Sequence, residues 1–150
     1  MPPHPPAAGA AEFAERLEKL GRNLGEREAS HQAGLSEARA CLERVRGWVC
    51  EALEAFHQAA TAAGAPQLRI SLSEVRPDEK HLRAAQFDLN RGRYRAIVTA
   101  RSRGEITLVG PFHAGKTEGP CLTFPLDGGE DLRAALARFL ERFLEEAATP

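Results

Sequence analysis

Lysine is scarce in this chain, with three residues against seventeen arginines. Cysteine is equally scarce at three, and tryptophan, tyrosine and methionine occur once each. An odd number of cysteines without paired spacing excludes a disulfide framework and suits a reducing compartment. Cys41 and Cys50 stand nine residues apart. At about 100° per helical residue they fall on opposite sides, so no metal ion takes both. The five histidines, His4, His31, His57, His81 and His113, have no ligand spacing with one another or with a carboxylate. No metal and no cofactor is expected.

Long apolar runs are missing too. No stretch approaches the roughly eighteen residues of a membrane span. The opening "MPPHPPAAGAAEF" lacks the basic-then-apolar order of a secretory signal. These absences lead to the expectation of a cytoplasmic protein without membrane contact, whose residues 1–11 form a disordered Pro/Ala tail. The net charge of −1 gives no global pull toward nucleic acid. The Arg excess, with abundant Ala, Gly and Leu, reads as the bacterial-type habit of a GC-rich genome, which weakens the case for any single arginine as a phosphate ligand.

What is present divides into three zones within 150 residues, about one domain. From Glu12 to Ala63, apolar residues recur at helical steps: Phe13, Leu17, Leu20, Leu24, then Leu35, Ala38, Leu42, Val45, Val49, Ala52 and Phe56. Between Leu24 and Leu35 the stripe is filled by Glu28 and His31, and Gly25 and Gly34 flank the interval. One helix of about fifty residues would reach roughly 75 Å. The glycines favour instead a break near residues 25–36, with Ser30 or Ser36 as the new N-cap. Residues 12–35 then form a helical arm with coiled-coil character, and residues 36–150 an α+β domain. The arm's narrow stripe needs a partner surface, and self-association through Phe13, Leu17, Leu20 and Leu24 supplies one.

The second zone alternates as strands do. "QLRISLSEV" directs Leu68, Ile70 and Leu72 to one face; "AAQFDLN" adds Ala85, Phe87 and Leu89; "RYRAIVTA" adds Tyr94, Ala96, Val98 and Ala100; "EITLVG" adds Ile106 and Leu108. "CLTFPL" is the last strand, and Pro125 marks an edge or an end. "NRG" at 90–92 and "SRG" at 102–104 each read as a three-residue hairpin loop with glycine at φ > 0. The third zone is a helix from about Glu130 to Ala147, with Leu132, Ala135, Leu136, Phe139, Leu140, Phe143 and Leu144 on one face. The predicted architecture is α+β: a helical arm, a four- to five-stranded antiparallel meander, and a C-terminal amphipathic helix packed on the sheet. Trp48 joins Leu42, Val45 and Phe56 in packing on the sheet.

"VGPFHAGKT" at 109–117 satisfies the G-x-x-x-x-G-K-[ST] phosphate-binding pattern. That pattern works when a parallel strand precedes it and a helix begins at the Lys. Here Gly119 and Pro120 follow, then a strand-like run, and hairpin turns join the strands before it. The segment reads as a long hairpin loop from Pro111 to Pro120. The alternative is an anion site outside any P-loop fold, using Gly110, His113, Gly115, Lys116 and Thr117. Cys121, beside this loop, reads as a buried or half-buried structural thiol rather than the partner of His113 in a catalytic pair. No catalytic constellation is visible, which points to a non-enzymatic protein.

Charge is uneven along the chain: net −2 over residues 1–63, +4 over 64–126 and −3 over 127–150. Arg91, Arg93, Arg95, Arg101 and Arg103 crowd one hairpin. As a nucleic-acid face, Arg93, Arg95, Arg101 and Arg103 would contact phosphates, but the aromatics needed for base stacking, Tyr94 and Phe87, belong to the inward set. On the plainer reading these arginines pair with Asp88, Glu74 or the acidic terminal helices. The leading expectation is a small homo-oligomer that also binds a protein partner through the sheet or the 110–120 loop. Nucleic acid and an anionic ligand are the alternatives.

Overall fold

The computed structural model describes residues 8–78, 83–116 and 119–148. It is an α+β fold built in two layers. One unbroken helix, α1 (Ala8–Ala62), opens it. Its 55 residues span about 80 Å at 1.5 Å each. The expected break at 25–36 is absent, and Ser30 and Ser36 lie inside the helix rather than capping a new one. The helix also takes in residues 8–11, which the tail was expected to include.

Two facts account for the continuity. Gly34 is needed for a close approach rather than a turn: a β-carbon there would lie 2.1 Å from the Ser102 carbonyl oxygen. C-terminal to it, Leu35, Ala38, Cys41, Leu42, Val45, Val49 and Leu53 pack into the core, and that burial outweighs the roughly 1 kcal/mol each glycine costs. The stripe shifts by one residue near its end, so Leu53 is buried and Ala52 exposed. At Gly64, with φ of +92°, the chain turns off the helix, and the Ala65 N–H donates back to the Ala60 carbonyl at 2.8 Å.

The sheet comprises β1 (Ser71–Leu72), β2 (Arg76–Pro77), β3 (Ala84–Arg91), β4 (Tyr94–Arg101), β5 (Glu105–His113) and β6 (Cys121–Pro125). The order is β1-β3-β4-β5-β6, with β2 also on β3, and every pairing is antiparallel. Hence β1 and β2 are two pieces of one interrupted edge strand, and "QLRISLSEV" supplies only its first piece. In the gap, the Ser73 N–H donates to the Asp88 carbonyl (2.9 Å) while the Ser73 hydroxyl accepts from the Asp88 N–H (2.8 Å), so the ladder is bridged by a side chain.

The first hairpin is shorter than expected. Arg91 pairs with Tyr94, leaving a two-residue loop with Gly92 at φ +58° in its first position. The second is the three-residue loop the sequence implies, Ser102–Gly104, with Gly104 at φ +102°. Pro125 does close an edge strand.

Alternation sorts the sheet as read. Ala85, Phe87, Leu89, Ala96, Val98, Ala100, Ile106 and Leu108 are buried on one face. Both helices cover that face: α1 lies over β3 and β4, and α2 (Gly129–Ala148) over β4 and β5. From α2, Leu132, Ala135, Leu136, Phe139, Leu140 and Phe143 are buried as expected, Ala147 joins them, and Leu144 is half-buried. Trp48 packs toward α2 as well as the core, with the Arg133 guanidinium 4.5 Å over its ring. Among the described residues no helix is long and apolar enough to cross a membrane.

Candidate association and binding surfaces

The N-terminal part of α1 extends past the sheet with its stripe bare. Phe13, Leu17, Leu20 and Leu24 are 68, 62, 49 and 47 % exposed. Among the described residues Leu122 is the other large apolar side chain that stands out in this way. The first contacts between α1 and the sheet come near residue 28. Arg83 lies 4.0 Å from the Glu28 carboxylate and donates to His31 Nε2 at 2.7 Å. Gly34 then meets Ser102. The domain therefore reaches further along the helix than a boundary at residue 36.

No described element packs on the second face of the sheet. Its centre is neutral. One cross-strand row is Gln86, Thr99, Thr107 and Thr123, with the last two hydroxyls 3.1 Å apart. The neighbouring row is Asp88, Ile97, Val109 and Cys121. Cys121 is exposed there, contrary to the buried or half-buried thiol expected, because β6 is the sheet edge. Cys41 is buried beneath α2's entry turn and donates to the Leu126 carbonyl at 3.4 Å. Burial pushes its thiol pKa up, against a smaller lowering by Arg44.

The hairpin arginines do not form one surface. Arg95 donates to Asp88 Oδ2 at 2.5 Å, and Arg76 donates to the same oxygen at 2.6 Å. The pairing with Asp88 that the sequence suggested is thus present, and it covers a carboxylate only 3 % exposed on the face away from the helices, where Thr99 and Phe112 are buried as well. Asp88 Oδ1 and Arg95 Nε are buried without a hydrogen-bond partner among the described residues. Arg103 pairs with Glu105 at 2.9 Å, and Arg91 donates to the Ala147 carbonyl of α2. Arg93 sits in the turn rather than on a strand face. Arg93 and Arg101 have no side-chain partner among the described residues. Arg95 and Arg101 lie six residues apart on β4, roughly 20 Å at 3.3 Å per residue. The four arginines thus fall into two groups at opposite ends of the sheet.

At one end His31, Arg83, Arg101, Ser102 and Arg103 line an open cleft of about 440 Å³ between α1 and the β4–β5 turn. The sequence gives no sign of it, since its residues come from three separate segments. Glu28 and Glu105 answer two of its three guanidiniums.

The 110–117 segment is mostly strand. β5 runs on to His113, which pairs with Tyr94 and meets its ring edge-on at 5.1 Å between centroids. One extra residue is accommodated at Gly110–Pro111, opposite Ala96, as a bulge. Gly110, at φ +116°, leaves no room there: a β-carbon would stand 3.1 Å from Ala96 Cα. A turn at Ala114–Gly115 follows. Three amides of the segment are already bonded, Gly110 to Pro120 O (2.8 Å), Ala114 to Arg93 O (2.6 Å) and Lys116 to His113 O (3.0 Å). A phosphate cradle needs such amides free and converging. Lys116 and His113 are exposed, and Thr117 lies outside the described residues. The long loop expected from Pro111 to Pro120 is therefore shortened at its start by β5.

His57 has a defined structural role that its helix-surface pattern concealed. Its Nε2 accepts from the Ile70 N–H at 3.0 Å and ties the chain leaving α1 to the helix end.

No known family model matches the chain, and neither a curated protein nor a solved structure resembles it.

Proposed function

We propose that this protein is a self-associating α+β module whose residues 8–27 pair with the same segment of a second copy. The observation that carries the reading is the bare stripe of Phe13, Leu17, Leu20 and Leu24 on the N-terminal stretch of α1, ahead of its first contacts with the rest of the described fold. A segment of this length is marginal as a free helix in water. It contains Gly9, Gly21 and Gly25, each about 1 kcal/mol poorer than Ala in a helix. Its side-chain support is slight, such as the exposed Arg22–Glu18 pair at 3.1 Å. Burying the stripe is what such a helix needs. Steps of four, three and four residues place these side chains in one seam, which a second identical seam complements.

The test is the mass in solution, by light scattering, of the full chain and of a Leu17→Glu, Leu20→Glu variant. The expected result is twice the 16.3 kDa chain mass for the first and the single-chain mass for the second. Trp48 fluorescence should stay unchanged, since the domain does not rely on the arm. A single-chain mass for the unsubstituted protein at about 100 µM, which leaves room only for association weaker than roughly 5.5 kcal/mol, would remove the reading.

A further inference from the structure

We infer that the two arms run antiparallel, with Phe13 opposite Leu24 and Leu17 opposite Leu20 across a two-fold axis, so that the two sheets sit at opposite ends of a two-helix rod. This rests on the self-association proposed above and adds its geometry.

The argument begins with direction around the helix. Leu17 and Leu35, Leu20 and Ala38, and Leu24 and Leu42 are each eighteen residues apart. Eighteen residues make about five full turns, so each pair points the same way on an unbroken helix. Ala38 and Leu42 are fully buried on the sheet side, and Leu35 packs against the same core. The bare stripe of the arm therefore faces the side on which the sheet lies, just past the sheet's end. That end is marked by Arg83 at His31 and by Ser102 at Gly34. What remains is a shelf about 30 Å long, backed by residues 8–27 and stopped at one end by the sheet.

Parallel arms do not fit this shelf. Packed helices lie about 8–10 Å apart. Two parallel helices in register through Leu24 would still face each other at Leu35, eleven residues on. There each copy's own sheet already occupies the space between them, and α1 has no bend by which to diverge.

Antiparallel arms do fit. The partner's arm fills the shelf, and four apolar layers form: Phe13 with Leu24, Leu17 with Leu20, and the same two again by symmetry. Ala8, where the helix begins, falls opposite Ala29, level with the first contacts of Arg83 at Glu28 and His31 and short of Gly34, where Ser102 meets the helix. The contact is isologous and closes at two copies. Ala14 and Gly21, beside Phe13 and Leu20, keep that flank of the seam low. The Leu42 residues of the two copies then stand about 70 Å apart, which makes the arm pair a spacer between two sheets.

Pulsed dipolar spectroscopy on the full chain distinguishes the arrangements. Labels go on Ala10→Cys in one variant and on Gln32→Cys in another, each with Cys50→Ser and Cys121→Ser and with the buried Cys41 retained. Residue 10 falls opposite 27, and residue 32 lies 13.5 residues, about 20 Å, from the two-fold axis. The expected label separations are about 25 Å and about 40 Å along the rod. Separations of about 10 Å at Ala10 in a protein of dimeric mass would overturn the antiparallel arrangement and leave self-association standing. A single-chain mass would overturn both.

Discussion

Gly34 of the long helix lies against the backbone of Ser102 in the β4–β5 turn, so closely that a β-carbon would stand 2.1 Å from the Ser102 carbonyl oxygen. The obstacle is backbone, which cannot rotate away as a side chain can. Gly34→Ala should therefore destabilise the fold by about 1–3 kcal/mol despite the helix propensity it gains. Gly47→Ala, with nothing within 4 Å, should instead stabilise by up to about 1 kcal/mol. Urea midpoints of both variants decide the matter. Equal gains would mean that helix and turn are not in contact.

Asp88 is a nearly buried carboxylate shared by Arg76 and Arg95. Removing it by Asp88→Ala leaves two guanidiniums that keep part of their contact with water, at 42 % and 34 % exposure. The loss should therefore be about 1–3 kcal/mol rather than the larger cost of a fully buried orphan charge. Denaturant unfolding of the variant measures it. A change below about 0.5 kcal/mol would place this pair with ordinary surface ion pairs.

The three thiols should separate kinetically. Exposed Cys121 should react with an aromatic disulfide reagent within minutes at pH 8, Cys50 more slowly, and Cys41 only on unfolding. The raised pKa of Cys41 has a consequence for stability. Below its ordinary value of 9.0 the thiol is neutral in both states and costs nothing. As pH rises past that value the unfolded thiol ionises while the folded one does not, so stability falls. Unfolding at pH 8 and pH 10 should show a decline that is smaller in Cys41→Ala. A Cys41 that reacts as fast as Cys121 in the folded protein would contradict both expectations.

Local patterning alone determined the classes of element and the inward faces. Alternation at period two is a property of the strand itself, so Phe87, Leu89, Val98 and Ile106 are assigned to the core without knowledge of their neighbours. The same holds for the face of α2, and for Gly104 in its three-residue loop. The bare stripe of the arm was also legible, because helical spacing places Phe13, Leu17, Leu20 and Leu24 together wherever the helix ends.

Tertiary structure decided what glycines and charges do. Gly25 and Gly34 suggest a break when read locally, yet Gly34 is a point of contact with residue 102, and no local signal separates the two roles. Arg95 and Arg103 resemble a phosphate-binding row in sequence, but their carboxylates arrive from β3 and from across a turn. The segment that matches the phosphate-loop pattern shows the same dependence: three of its amides bond to Arg93, His113 and Pro120. Periodicity reports which side of an element is apolar. Whether a backbone amide, a guanidinium or a glycine is free depends on what another part of the chain brings to it, and that depends on strand register and helix position.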